Sequence, residues 1–180
     1  MAIEPQRPPA LSAEEREAMK LEFGSLREEI LKRLELRNQM LFATLTGAAA
    51  LISVGVTTPS VALVYPPIAA LLATLWAQNE IRVREMANYI RERFESGAFP
   101  GIHFQTYLQE HGRSVSVLGT PFVILSGGGV FLVTEAIAIA VALTSMAHAD
   151  QVREVLLVLD VAAMAVTIVL VVYTNRFWNR

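Results

Sequence analysis

Cysteine is absent from all 180 residues, which excludes structural disulfides, thiolate metal sites and cysteine nucleophiles. Charged residues are scarce, at 18% of the chain, and no lysine or arginine falls inside any of its long apolar runs. The three histidines, His103, His111 and His148, are too widely separated to suggest a metal site and read as surface or interfacial residues. No phosphate-binding loop, G-x-S-x-G, H-E-x-x-H or EF-hand spacing occurs. Gly127-Gly128-Gly129 lacks the strand and lysine of a phosphate cradle, and reads as a place of close helix contact or a break. An enzyme is therefore not expected, nor a catalytic residue, metal or cofactor. The first ten residues hold Glu4, Arg7 and three prolines but no apolar signal core, so the first apolar run is expected to direct insertion itself.

What the chain has instead is segregation. It is 53% hydrophobic with a mean hydropathy of +0.43, and its apolar residues gather in four blocks. These are residues 40–56, 61–77, a stretch within 115–147, and 155–173, each near or above the roughly 20 residues that cross a bilayer. Most charges gather in residues 4–37, 80–95 and the extreme C-terminus. The fold class expected is all-α: a four-span transmembrane helix bundle with long cytoplasmic helical extensions. The third block is the longest, so it must tilt, protrude, or break at Pro121 or the glycines.

Lysine and arginine set the orientation. Seven precede the first block, five lie between the second and third, and two follow the fourth, whereas Arg153 alone sits between the third and fourth. Both termini are thus expected in the cytoplasm, with outer loops around Pro59 and His148. The segments are then 1–11, a disordered tail; 12–39, a cytoplasmic helix; 40–77, a transmembrane hairpin; 78–114, a cytoplasmic helix and linker; 115–174, a second transmembrane hairpin; and 175–180, a cytoplasmic tail. Trp76, Tyr173, Phe177 and Trp178 fall at the cytoplasmic span ends, where amphipathic aromatics favour headgroup depth.

Ser12-Ala13-Glu14-Glu15 predicts a capping box, and no proline follows until Pro59, so one helix can run from the cytoplasm through the first span. Met19, Phe23, Leu26 and Ile30 form an apolar stripe on it, with Glu28–Lys32 and Glu29–Arg33 as i,i+4 pairs. Past the second span, Val83, Met86, Ala87, Ile90 and Phe94 form a matching stripe. The two extensions are expected to pair as a helical hairpin, to hold subunits together, or both. Residues 96–101 end the helix in turn chemistry, and Ile102, Phe104, Tyr107 and Leu108 suit a short surface helix.

Two acids stand out. Glu135 is the only charged residue in the 34 residues 114–147, and Asp160 sits within the fourth block. An ionised acid at the centre of a span costs on the order of 3 kcal/mol. Either the carboxyls are protonated and bonded to Thr134, Thr144, Thr167 or a backbone carbonyl, or they line a water-filled path. In a symmetric homo-oligomer such carboxyls would form rings that favour cations. Glu135, Asp160 and Thr134 are the pore-lining candidates. Pro66, Pro67, Gly127, Gly128 and Gly129 are hinge candidates, because both residue types weaken the helix ladder. Arg82, Arg84, Arg91 and Arg93 read first as a topology signal, then as contacts for anionic lipid or a nucleotide or oligonucleotide ligand.

Leu26-Arg27-Glu28-Glu29-Ile30-Leu31 with Arg33 and Arg37, then Ile90-Arg91 and Phe99-Pro100-Gly101-Ile102, resemble a group of small bacterial multi-span integral membrane proteins. The overall plan is similar to membrane effectors of anti-phage defence of the Hailong type. That resemblance implies an oligomeric channel in the bacterial inner membrane, gated by a nucleic-acid-like signal. The function expected is a homo-oligomeric, cation-preferring ion channel or membrane-depolarising effector gated through its cytoplasmic helices, a ring of four or five subunits, such as a tetramer, putting spans around an axis. The alternatives are a membrane-anchored scaffold recruiting a cytoplasmic partner, and a small cation-coupled transporter.

Overall fold

The computed structural model describes residues 12–95, 120–144 and 151–178. All regular structure among them is helical, and four helices are long and apolar enough to cross a membrane. The expected tail 1–11, the turn and surface helix of residues 96–119, the His148 loop, His103, His111 and the side chains of Phe177 and Trp178 lie outside the described residues.

Helix α1 spans Ala13–Gly55, 43 residues without a break. It starts where the sequence places its cap: Ser12 Oγ accepts from the Glu15 amide (3.2 Å), and Glu15 Oε2 accepts from the Ser12 amide (2.8 Å). Hydrogen bonding from the Ser12 amide, and then from its side chain, favours the ionised Glu15 carboxylate and holds it below the usual carboxylate range. Gly55 ends the helix because the chain folds back at once. A Cβ there would lie 2.5 Å from Ala62 Cβ, so two small residues are needed to make this turn.

Two helices follow the turn, a short α2 at Pro59–Ala62 and a long α3 at Tyr65–Ile90. The interruption at Leu63–Val64 comes from Pro66 and Pro67, which have no N–H to continue the ladder and occupy the first turn of α3. The break thus falls ahead of the two prolines. A π-helical turn, Arg91–Glu95, closes this arm. Helix α4 covers Thr120–Thr144 and passes through all three glycines unbroken, with Pro121 in its first turn. Helix α5 covers Gln151–Trp178.

The four long helices pack as an antiparallel bundle, α1 against α3 and α4 against α5, with α3 also lying along α5. The two charged arms pair as the apolar stripes require. Phe23 meets Phe94 at 5.6 Å between ring centroids, Tyr89 donates to Glu22 Oε1 (2.7 Å), and Asn79 Nδ2 donates to the Arg33 carbonyl (2.9 Å). On the open side of the arm Arg33 pairs with Glu29 (2.7 Å). Exposed pairs of this kind contribute at most about 1 kcal/mol, so the aromatic seam and the Asn79 bond carry the pairing.

Alanine and glycine make the bundle tight. Ala48, Ala69, Ala73, Ala77, Ala138 and Ala142 are all buried, which lets the backbones approach. Trp76 departs from the expectation of a headgroup anchor. It is 1% exposed and sits inside the bundle against Phe131 (centroids 6.0 Å), whereas Tyr173 faces outward. Gly127 and Gly128 explain this. A Cβ at Gly127 would stand 3.0 Å from the indole, and one at Gly128 would stand 2.6 Å from Val171 Cγ2. The glycines therefore make room for Trp76 and Val171 within a continuous helix.

Candidate functional site

The inner face of α4 is read from its buried residues: Gly127, Gly128, Phe131, Thr134, Glu135, Ala138 and Ala142 recur at three- and four-residue spacing. Glu135 belongs to this face, and its residue is 0% exposed. On α5 the corresponding face is Asp160, Ala163, Thr167, Val171 and Thr174. Asp160, also 0% exposed, precedes Thr167 by two helical turns, about 10.5 Å along the axis. Both acids therefore turn into the interior of their own bundle.

Thr167 joins the two helices. Its hydroxyl lies 2.8 Å from Glu135 Oε1 and 3.2 Å from the Ala163 carbonyl. With Glu135 ionised, the single hydroxyl hydrogen goes to the carboxylate. With Glu135 protonated on Oε1, the carboxyl donates to Thr167 and Thr167 donates to Ala163, so both contacts are satisfied together. The Thr167 hydroxyl can therefore bond to either form of the acid. Glu135 Oε2 and both Asp160 oxygens are buried without a hydrogen-bond partner among the described residues.

Thr134, one residue before Glu135, bonds elsewhere. It accepts from the Tyr65 hydroxyl (2.7 Å) and donates to the Val130 carbonyl (2.8 Å). Tyr65 thereby ties the start of α3 to α4, with Glu135 on the next position of the same turn. Three helices thus meet around the carboxyl.

Where the bundle gives way to the charged arms, Arg37 Nη1 lies 3.3 Å from Glu80 Oε1. Glu80 is 5% exposed; its burial raises its pKa, and the Arg37 guanidinium offsets part of that shift. Nearby along the inner faces, Trp76 Nε1, Thr174 Oγ1 and Asn175 Oδ1 are buried polar atoms with no partner among the described residues.

The structure brings Glu135 and Thr167 together and keeps Thr134 beside them, with Asp160 on the same inner face. It does not gather the four arginines. Arg82 is exposed and pairs with Glu85 (3.2 Å), Arg93 is exposed, and Arg84 and Arg91 are half-buried, with Arg91 reaching Glu92 at 3.9 Å. Burial lowers the Arg84 pKa, and the charge of Arg91 adds to that effect. Among the described residues no group of three His, Cys, Asp or Glu side chains could hold a metal ion. Sequence reasoning missed the Tyr65–Thr134 bond, the Arg37–Glu80 pair and the unpartnered buried atoms of Trp76 and Thr174. One signal was there to be read: Asp160, Thr167 and Thr174 recur every seven residues in an otherwise apolar helix.

No protein-family model, curated protein or solved structure matches the chain.

Proposed function

We propose that the protein is a four-span membrane protein that passes cations across the bacterial inner membrane, both termini in the cytoplasm, as a homo-oligomeric channel or membrane-depolarising effector. The observation that carries this reading is the set of three buried carboxyl oxygens, on Glu135 and Asp160, that no protein group among the described residues satisfies. Apolar packing alone does not require such groups, and buried acids inside a span mark ion or proton pathways. No lysine or arginine lies in the apolar blocks to neutralise them. Because both acids face inward, the path runs through the bundle interior at the Glu135–Thr167 level, with oligomerisation setting how many paths open together.

The paired arms, α1 before the bundle and α3 after it, are the part that receives a gating signal. Arg82 and Arg93, exposed on the second arm, are the contacts open to an anionic ligand such as a nucleotide or oligonucleotide. The resemblance to anti-phage membrane effectors points the same way. A scaffold reading is favoured by one observation: the arms form their own aromatic and hydrogen-bonded seam, more than an anchor needs.

Potassium flux from proteoliposomes separates these readings. Wild type, assayed without ligand and with nucleoside triphosphates or short oligonucleotides, is expected to release potassium when a gating ligand is present, and Glu135→Ala to release less. Tight liposomes for both under every addition would remove the channel reading and leave the scaffold.

A further inference from the structure

Two polar stations lie on the inner face of α5, separated by an apolar layer. The first is Glu135 with Thr167 and Asp160. The second is marked by Trp76 Nε1 and Thr174 Oγ1, on residues that are each 1% exposed: Trp76 packs in one cluster with Val171, and Thr174 follows Val171 by one turn, with half-buried Asn175 next in the chain. None of the Trp76 Nε1, Thr174 Oγ1 and Asn175 Oδ1 atoms finds a protein partner among the described residues; they are a donor, a hydroxyl and an acceptor. A buried water needs two to four such groups, and apolar cavities by contrast stay dry. Gly127 packs against this indole: a Cβ there would lie 3.0 Å from Cζ2 and 3.4 Å from Nε1, so a side chain at this position would crowd the ring. Between the stations stand Phe131, 0% exposed, and Val171, 8% exposed, one turn from Thr167 and one from Thr174.

We propose that Trp76 and Thr174 bound a water-holding station on the cytoplasmic side of the bundle, and that the Phe131–Val171 layer between it and Glu135 is the gate of the path. The inference rests on the cation-path reading above and adds where that path is closed. Water fills the station from the cytoplasmic end, and a layer of two apolar side chains interrupts it by excluding water. The arms adjoin this end through Arg37 and Glu80, so a signal that shifts α1 against α3 acts next to the layer.

Two measurements test it. In protein carrying ¹⁵N-labelled indoles, where the chain has two tryptophans, Trp76 is assigned with a Trp178→Phe variant. Its indole N–H is expected to show a cross-peak to water and to exchange in D₂O within minutes. An indole protected for hours without that cross-peak overturns the station. Val171→Thr keeps the side-chain shape but admits water, and is expected to raise ligand-free potassium flux by roughly tenfold, the factor of a modestly lowered barrier. If wild type conducts under ligand but Val171→Thr leaks no more than wild type, the gate is overturned and the channel reading stands. If neither conducts while the Trp76 indole is wet, the channel reading falls and takes the gate with it.

Discussion

At the level of single residues, the Glu135–Thr167 contact is the bond that ties an acid into an apolar bundle. Thr167→Val removes a hydroxyl that lies 2.8 Å from the carboxyl, and is expected to cost about 1–3 kcal/mol of stability because a buried polar group is left unsatisfied. Thermal unfolding in detergent checks this, with Thr167→Ser expected to restore most of the loss. Glu80 gives a pH dependence of definite sign. Its carboxyl titrates above the ordinary value of 4.5 in the folded chain because it is buried, so the folded state binds this proton more tightly than the unfolded state does. Stability from this group is therefore present at low pH and is lost as pH rises from the ordinary carboxylate range through the raised folded value. Arg37→Gln removes the partner that limits the shift, and should steepen that loss. Glu80→Gln should abolish the Arg37-dependent difference when unfolding midpoints are followed against pH.

Helix by helix, the glycines separate two physical roles. A Cβ added at Gly24 would meet nothing within 4 Å, so Gly24→Ala is expected to stabilise α1 by about 0.5–1 kcal/mol through helix propensity alone. Gly128→Ala would press a methyl to 2.6 Å from Val171, and overpacking of that kind costs about 1–3 kcal/mol. Opposite shifts in unfolding temperature for the two variants would check the distinction. The helices themselves were legible in the sequence wherever local chemistry dominates. The Ser12 capping box, the unbroken run to Gly55 and the Phe23 and Phe94 stripes all follow from spacing and caps. The direction in which Glu135 points was not legible. Helix α4 is apolar on every side, so periodicity defines no inner face, and only the tertiary fit of Gly127, Gly128, Trp76 and Val171 selects one. Trp76 was misplaced for the same reason, because a span-end aromatic reads alike whether it faces headgroups or fills a groove left by glycines.

For the molecule as a whole, charge segregation dictated four long apolar helices and the two polar arms, and the structure has both. What composition could not supply is the interior, where seven-residue spacing on α5 sets Asp160, Thr167 and Thr174 in line on the inner face, with Thr167 bonded to Glu135. That line is why conduction, and not anchoring alone, is the reading drawn from this bundle. The most direct test is the reversal potential of current through planar bilayers holding the protein under a KCl gradient. With wild type it should lie toward the potassium equilibrium potential, and Glu135→Gln should move it toward zero. A wild-type reversal potential at zero or on the chloride side, or the same value in both proteins, would contradict a cation path governed by Glu135.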